Sequence, residues 1–328
     1  MTSEARYEAI PTRETRPLDL SILIVTWNSE RWIDRCLRSI PAACAGLHYE
    51  VVVHDNASKD ATVAHLGDAQ VIRSTSNAGF AAGTNRAFAQ SRGRYVFLLN
   101  PDCELAPRAL TKLFEFLDTH PTASVAAPLL LDEEGDSQRE FQLRRLPTLG
   151  SLMAEVLLLD KLFPKNRTTA RHRYRDLDLT EPRRIEQPAG AALLLRRNVF
   201  DDVGPLDEQF SPAWFEDVDY CHRLAEKKKE VWVVPAAEVR HVGGASLEHI
   251  RFGGFVDVWY RNMWRYARKW LRPAQAEALR WVIIAGMLMR CAAGLIGLKP
   301  RGVARWEAFR AYATVMRKAF ERWSESPS

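Results

Sequence analysis

The chain has 328 residues, 47% hydrophobic and 27% charged. That length suffices for about two domains with a sizeable core, and the composition excludes a disordered, collagen-like or disulfide-dense protein. The net charge of +5 is unevenly spread: from Arg251 onward 15 Lys and Arg stand against 5 Asp and Glu, leaving 31 against 36 over residues 1–250.

The first twenty residues, MTSEARYEAIPTRETRPLDL, lack the apolar stretch of a signal peptide, so residues 1–18 read as a flexible lead-in. From Leu20, apolar runs alternate with helical patterns. LSILIVT precedes a helix over 30–40, EVVVHDN precedes one over 59–66, VIRS one over Phe80–Gln90, and RYVFLLN one over 107–119, with SVAAPLLL closing the series. Short β-rich runs separated by helices predict an α/β fold with a mostly parallel sheet covered on both faces, whose ligands gather at the carboxyl ends of the strands. Residues 164–188 are dense in charge and nearly without apolar periodicity, the pattern of a mobile loop. The core then resumes with GAALLLRR as a strand, NVFDDVG as a short helix, FEDVDYCHRLAEKKK as a longer one and EVWVVP as a strand. The five cysteines (Cys36, Cys44, Cys103, Cys221, Cys291) never form a C-x-x-C pair, which points to reduced thiols in a cytosol.

The C-terminal region, 251–328, reads as basic and helical. Residues 281–298 have nearly the length of a spanning helix but carry Arg290 at their centre, and an Arg there costs roughly 2.5–3.5 kcal/mol on insertion scales. Arg261, Arg265, Arg268, Lys269 and Arg272 precede the run and Arg301, Arg305, Arg310, Arg317 and Lys318 follow it. Six of the ten tryptophans (Trp259, Trp264, Trp270, Trp281, Trp306, Trp323) share this region. Basic residues mixed with Trp suit an anionic membrane interface, and no nucleic-acid-binding motif accompanies the charge. The expected placement is cytoplasmic and peripheral, on the inner face of the cell membrane.

Residues able to carry chemistry sit at strand ends. Thr26 and Asn28 close the first run. Asp55 closes the second, where it can accept from a base imide or a ribose hydroxyl, or simply turn the chain with Ser58. Gly79 and Gly83, flanked by Asn77 and Asn85, follow the third, but their spacing is not G-x-G-x-x-G, which disfavours hydride chemistry. Asp102 follows the fourth, in Asn100-Pro101-Asp102, placed to hold a divalent cation or to cap a helix. Glu216 and Asp217 open a helix, where one can act as a general base or both can serve the helix dipole. His241 ends a strand as a second metal ligand or a phosphate partner.

Taken together, VTWN, HDNASKD, NAGFAAGTN, NPDCEL, FEDVD and HVGG resemble the inverting family 2 glycosyltransferases of GT-A fold, in particular the rhamnosyltransferase-like branch. The resemblance spans residues 20–246. It implies a GT-A domain over 19–250 and transfer of a sugar, L-rhamnose from dTDP-L-rhamnose, to a lipid-linked or polysaccharide acceptor in cell-envelope glycan synthesis. It assigns Thr26, Asn28, Asp55, Asn77, Gly79, Phe80, Asn85 and Asp102 to the donor pocket. It further assigns Asp102 and His241 to a Mg²⁺ or Mn²⁺, Asp217 to the general base, and Glu216 and Trp214 to the acceptor. One departure is that NPD offers a single acidic residue where many relatives carry D-x-D. Two other readings stand beside it: the same fold using a UDP-sugar (galactofuranose or a hexose), and a non-catalytic membrane-docked scaffold for nucleotide sugars or glycans.

Overall fold

A computed structural model describes residues 17–163, 166–244 and 250–324; most of the lead-in lies outside the described residues. In chain order the first part comprises β1 (Leu20–Thr26), α1 (Glu30–Ala43), β2 (Tyr49–Asp55), β3 (Gln70–Arg73), α2 (Phe80–Gln90), β4 (Tyr95–Leu99), β5 (Cys103–Leu105), α3 (Ala109–Thr119) and β6 (Ala123–Leu131). Then come α4 (Arg139–Gln142), β7 (Leu143–Arg144), α5 (Leu149–Val156), α6 (Leu159–Leu162), α7 (Arg167–His172), β8 (Arg183–Ile185), β9 (Gln187–Pro188), β10 (Ala192–Arg196) and α8 (Arg197–Val203). Next are α9 (Glu216–Glu226), β11 (Glu230–His241), α10 (Phe252–Trp270), α11 (Pro273–Leu295) and α12 (Arg305–Phe320).

Among the described residues the main sheet has nine strands, in the order β3-β2-β1-β4-β10-β6-β11-β5, with β8 also pairing β11. β1, β2, β3 and β4 are mutually parallel, as are β6 and β11, whereas β10 runs antiparallel between β4 and β6. Apolar residues fill both faces of the strands: Ile22 and Ile24 pack with Ile33 and Leu110 on one side, Leu23 with Leu98, Leu193 and Tyr220 on the other. Burial on two faces is why these strands read as continuous apolar runs rather than as alternating ones.

Two local expectations change. The helix expected over 59–66 is only a 3-10 turn, Ala61–His65, because Asp60 captures the Thr62 N–H at its start and the segment ends at Gly67 within a few residues. The charged stretch expected as a mobile loop folds, in its described residues, into α7, β8 and β9. Its charges find partners: Arg173 and Arg175 reach Glu140 at 3.2 and 2.8 Å, and Glu186 accepts from Arg145 at 2.8 Å. The counterions Glu140 and Arg145 precede the charged run in the chain, so a local pattern does not show them.

The C-terminal helices have their own core. Met263, Tyr266, Leu279, Ile283, Met287 and Val315 pack with Leu152 and Val156 of α5 and with Phe210 and Phe215 from the segment before α9. α11 is long and apolar enough to cross a membrane, yet one face of it is packed inside the protein. A Cβ at its Gly286 would lie 2.7 Å from Val156 Cγ1, and Arg290 donates to the carbonyls of Val156 at 2.7 Å and Gly286 at 3.0 Å. The central arginine is thus a packing device that closes α11 onto α5.

Candidate active site

The parallel direction of β1, β2, β4 and β11 brings Thr26, Asp55, the 100–102 turn and His241 to one edge of the sheet. Because β10 runs the other way, its N-terminal end arrives at the same edge; Ala192 is opposite Leu99. Gly190 and Ala191 therefore lie beside the 100–102 turn, and the Asn100 N–H donates to the Ala191 carbonyl at 2.8 Å.

At the β1 and β2 ends the polar groups are engaged with one another. Asp55 is buried; its Oδ1 accepts from Thr26 Oγ1 at 3.0 Å and from Ser58 Oγ at 2.5 Å, and its Oδ2 from the Ser58 N–H at 3.1 Å. Asn28 joins the group, its N–H donating to Ser58 Oγ at 2.9 Å and its Oδ1 accepting from the Lys59 N–H at 2.8 Å. The next loop is fastened by amides: Asn77 Oδ1 accepts from the Gly79 N–H at 2.9 Å, and Asn56 Nδ2 donates to the Gly79 carbonyl at 3.1 Å. Gly79 sits at φ +93°, where a Cβ would meet the Pro212 carbonyl oxygen at 2.7 Å, and the Phe80 N–H donates to that oxygen at 2.8 Å. Asn85 stands apart from this group: its amide exchanges hydrogen bonds of 2.9 Å with the Leu206 backbone and donates to Glu208 at 2.9 Å.

Asp102 and His241 meet where β5 pairs with β11, His241 being opposite Cys103. β5 itself escaped the sequence reading, three residues being too few to show a period. His241 Nε2 lies 3.7 Å from Asp102 Oδ2, and its Nδ1 is 3.0 Å from Gln138 Oε1. Gln138 donates its own Nε2 to the His241 carbonyl at 2.6 Å, which fixes the amide orientation and makes Nδ1 the protonated nitrogen. Burial holds His241 below its usual range, against the pull of Asp102, so the ring is neutral. A lone pair on Nε2 then faces a carboxylate with no proton between them, a donor set suited to a divalent cation. Cys103 completes the cluster geometrically. Its thiol, raised far above the ordinary range first by burial and then by the charge of Asp102, donates to the Ala191 carbonyl at 3.6 Å.

Asp217 and Glu216 begin α9 directly after Trp214 and Phe215, both at positive φ (72° and 74°). Asp217 Oδ2 accepts from the Gly190 N–H at 3.0 Å and Oδ1 from the Val218 N–H at 2.8 Å. Glycine suits this close approach: a Cβ at 190 would lie 3.0 Å from Asp217 Cβ, tighter than most such contacts. Burial raises the Asp217 carboxyl, while those two N–H groups and the charge of Arg144 act in the opposite direction. Glu216 is raised well above the ordinary range, first by burial and then by the Asp217 charge, and its Oε2 has no hydrogen-bond partner. The pair is split, with Asp217 the group equipped to be an anion and Glu216 the group held as a neutral acid.

The segment carrying these residues is held from behind by α10. Asn262, fully buried, directs its Nδ2 at the carbonyls of Phe210 (2.9 Å), Ala213 (3.0 Å) and Trp214 (3.1 Å). Arg261 donates to the Ser211 carbonyl and Arg265 to that of Gln209, while Lys269 pairs with Asp207 at 2.7 Å and with buried Asp219 at 2.8 Å. Trp214 packs edge-on against Phe255 of α10, centroids 5.0 Å apart. Sequence reasoning missed Asn262, Gln138, Gly190 and Arg144. Only Gly190 carried a signal, as a glycine opening an apolar strand.

The profile of Glycosyl transferase family 2 matches residues 21–204, more than half of the chain. The chain belongs to that family. Its mixed, mostly parallel sheet flanked by helices is the GT-A architecture. Asp217 and His241 lie beyond the matched residues, so their placement rests on the geometry above. Among curated relatives, this glycosyltransferase is 28% identical over 239 residues to an N-acetylglucosaminyl-diphospho-decaprenol L-rhamnosyltransferase of Mycobacterium tuberculosis, covering 68% of this chain and 75% of that one. It is 26% identical over 253 residues to the low-salt glycan biosynthesis hexosyltransferase Agl10 of Haloferax volcanii, covering 74% of each. Among solved structures it resembles GalNAc-T7, crystallised with UDP, GalNAc and Mn²⁺, at a TM-score of 0.52 and 16% identity, across 96% of this chain and 59% of that one.

Proposed function

We propose that the glycosyltransferase is an inverting enzyme that moves L-rhamnose from dTDP-L-rhamnose onto a lipid-linked or polysaccharide acceptor in envelope glycan synthesis. The observation that carries the reading is the Asp217–Gly190 hydrogen bond of 3.0 Å, which sets a buried carboxylate one residue from Ala191, whose carbonyl holds the turn leading to Asp102. In this reading Asp217 takes the proton of an acceptor hydroxyl as that oxygen attacks the anomeric carbon, and the nucleoside diphosphate departs from the opposite face, inverting the configuration in one displacement. Glu216, kept neutral, donates a hydrogen bond to an acceptor oxygen, and half-buried Trp214 offers its ring as a wall. Asp102 and His241 would hold a Mg²⁺ or Mn²⁺, whose charge offsets that of the departing diphosphate. Thr26, Asn28, Asp55, Asn77, Gly79 and Phe80 line the donor side; Asn85 supports it from the 206–208 turn.

The sugar assignment is supported by the mycobacterial relative, and the haloarchaeal relative favours a second reading, a hexosyl donor on the same site. Turnover with dTDP-L-rhamnose, UDP-galactofuranose and UDP-hexoses, with NMR of the product anomer, separates the two. Transfer from dTDP-L-rhamnose with inversion is expected, and transfer from a UDP-sugar alone would replace the donor assignment.

The same reading places the enzyme on the cytoplasmic face of the membrane through a narrower surface than the whole C-terminal region. Trp264 and Trp323 are buried, and Arg261, Arg265 and Lys269 grip the loop before α9. The α11–α12 elbow remains, with Leu295, Ile296, Leu298 and Trp306 between 66% and 78% exposed beside exposed Lys299, Arg301 and Arg305. Each such cation near an anionic surface contributes about 1 kcal/mol. Co-sedimentation with anionic but not neutral vesicles, reversed by salt and weakened by Trp306→Ser, is the expected outcome.

A further inference from the structure

The stretch that fixes His241 also reaches Asp217. Gln138 bonds both the ring and the carbonyl of His241, and four residues on, the Gln142 carbonyl accepts from the Ala189 N–H at 2.8 Å, next to the Gly190 N–H that binds Asp217. The buried Gln142 side chain locks this stretch to β6, accepting from the Leu130 N–H at 2.9 Å and donating to the Pro128 carbonyl. α4 therefore bridges the Asp102–His241 pair and Asp217.

Beside α4 lies a cavity of about 860 Å³, whose walls include Leu129, Asp132, Ser137, Phe141, Leu179 and His241. Leu179 belongs to the core on the α9 side of the sheet, the side that carries Asp217. The cavity sits at the ends of β6 and β11, and β6 is four strand spacings, about 19 Å, from β2, where Asp55 closes the proposed nucleotide end. The nucleotide end of the donor is therefore remote, and its sugar must lie between the Asp102–His241 pair and Asp217. That leaves the cavity to the acceptor.

Phe141 marks the chemistry. Its ring is 48% exposed, stacks on the His241 imidazole with centroids 5.4 Å apart and planes 20° from parallel, and also lines the cavity. A flat apolar ring matches the C–H face of a pyranose. The hydroxyls of that pyranose need polar partners, and the wall offers them: Asp132 Oδ1 accepts from the Asp136 N–H at 2.7 Å, while among the described residues Asp132 Oδ2 and the Ser137 hydroxyl bond to no protein group. Apolar walls with a few polar groups of this kind are what a ligand site requires. A hydrocarbon chain would leave both polar groups unmet, and no described wall of the cavity belongs to α11 or α12, the helices proposed to meet the membrane.

We propose that this cavity is a carbohydrate subsite, in which Phe141 stacks on the sugar next to the one that receives transfer, so that the enzyme prefers an acceptor of two or more sugar residues to a single sugar. The proposal rests on the reading of Asp217 as the base and of the chain as a sugar transferase.

The test compares wild type, Phe141→Leu and Phe141→Trp on three acceptors: methyl N-acetylglucosaminide, the methyl glycoside of the corresponding disaccharide, and octyl N-acetylglucosaminide. The donor is whichever nucleotide sugar wild type turns over. Wild type should prefer the disaccharide, and Phe141→Leu, which keeps an apolar cover on His241 without a flat face, should lower that preference, as a ratio of kcat/KM values, by about 2- to 10-fold through KM. Phe141→Trp should retain it. A wild type that treats both methyl glycosides alike would overturn the proposal. So would an equal loss on both in Phe141→Leu, which would make Phe141 only a cover for His241, or an octyl chain that replaces the second sugar, which would make the cavity a hydrocarbon site. Should wild type transfer to none of the three, the functional reading fails, and saturation-transfer NMR of the disaccharide glycoside still decides: a signal lost in Phe141→Leu and kept in Phe141→Trp supports the subsite, and a signal absent from wild type or equal in all three proteins overturns it.

Discussion

The two carboxylates that matter most at this sheet edge are handled in opposite ways. Asp55, at the end of β2, accepts from Thr26 Oγ1, Ser58 Oγ and the Ser58 N–H, so its charge is fully met within the protein. Glu216, at the start of α9, is also buried but has a partnerless oxygen beside the charge of Asp217. On the proposed reading, the donor side has its polar groups paired within the protein, while the acceptor side holds a carboxyl oxygen with no partner. Such groups cost stability and are kept where a ligand or a reaction completes them. The segment before α9 is braced from behind by α10, through Asn262 and the Lys269–Asp219 pair.

The largest test of that contrast is Asp217→Asn, which should lower kcat by about 10²–10⁴-fold with donor affinity intact, as measured by steady-state kinetics and calorimetry. Because Asp217 is raised and must be ionised to act, the acid limb of kcat/KM should lie above the ordinary carboxylate value of about 3.9, with transfer falling as pH drops through it. Next in size, Gln138→Ala removes the group that fixes the His241 tautomer and should weaken Mn²⁺-dependent donor binding by about 10–100-fold, read by titrating donor with and without the ion. A donor affinity indifferent to chelator in wild type would show that the Asp102–His241 pair holds no cation.

Asn262→Ala leaves three carbonyls of the segment before α9 without their donor, and should cost about 1–3 kcal/mol in urea unfolding while lowering kcat more than it changes donor KM. The smallest effect is expected at Glu216. Its folded value is raised above the unfolded one, so its contribution is fully present below the unfolded value of about 4.3 and is lost as pH rises through the folded one. Glu216→Gln should therefore gain stability over wild type progressively with pH and lose that advantage in acid, a difference visible in unfolding at pH 5 against pH 8.5.

What could be read in advance follows from range. The strands ending in Thr26, Asp55 and Leu99 are apolar runs of five to seven residues, and α2 begins and ends at Phe80 and Gln90 as its pattern indicates. Motif residues at strand ends were legible because an α/β sheet sends its carboxyl ends to one edge. The Gln138–His241 bond joins residues 103 apart, and Asn262 meets the segment before α9 across 48 to 52 residues. An isolated Asn or Gln in a helical pattern gives no sign of such a partner. In the basic C-terminal region the internal partners of Arg261, Arg265 and Lys269 were hidden for the same reason, since the carbonyls and carboxylates they meet lie 50 to 62 residues earlier in the chain.

The contact between Gly79 and Pro212 has a thermodynamic corollary. The Gly79 loop, on the proposed donor side, and the segment leading to Asp217 are joined by the Phe80 N–H to Pro212 carbonyl bond of 2.8 Å and by Ser211 Oγ, which donates to the Ala78 carbonyl at 3.4 Å. Two segments joined in this way form a linked system, and linkage is reciprocal: whatever factor donor binding imposes on acceptor affinity through this joint, acceptor binding returns to the donor. Gly79→Ala, which would push the two segments apart, is therefore expected to reduce the coupling free energy between the two substrates, a quantity that neither single-substrate affinity reports.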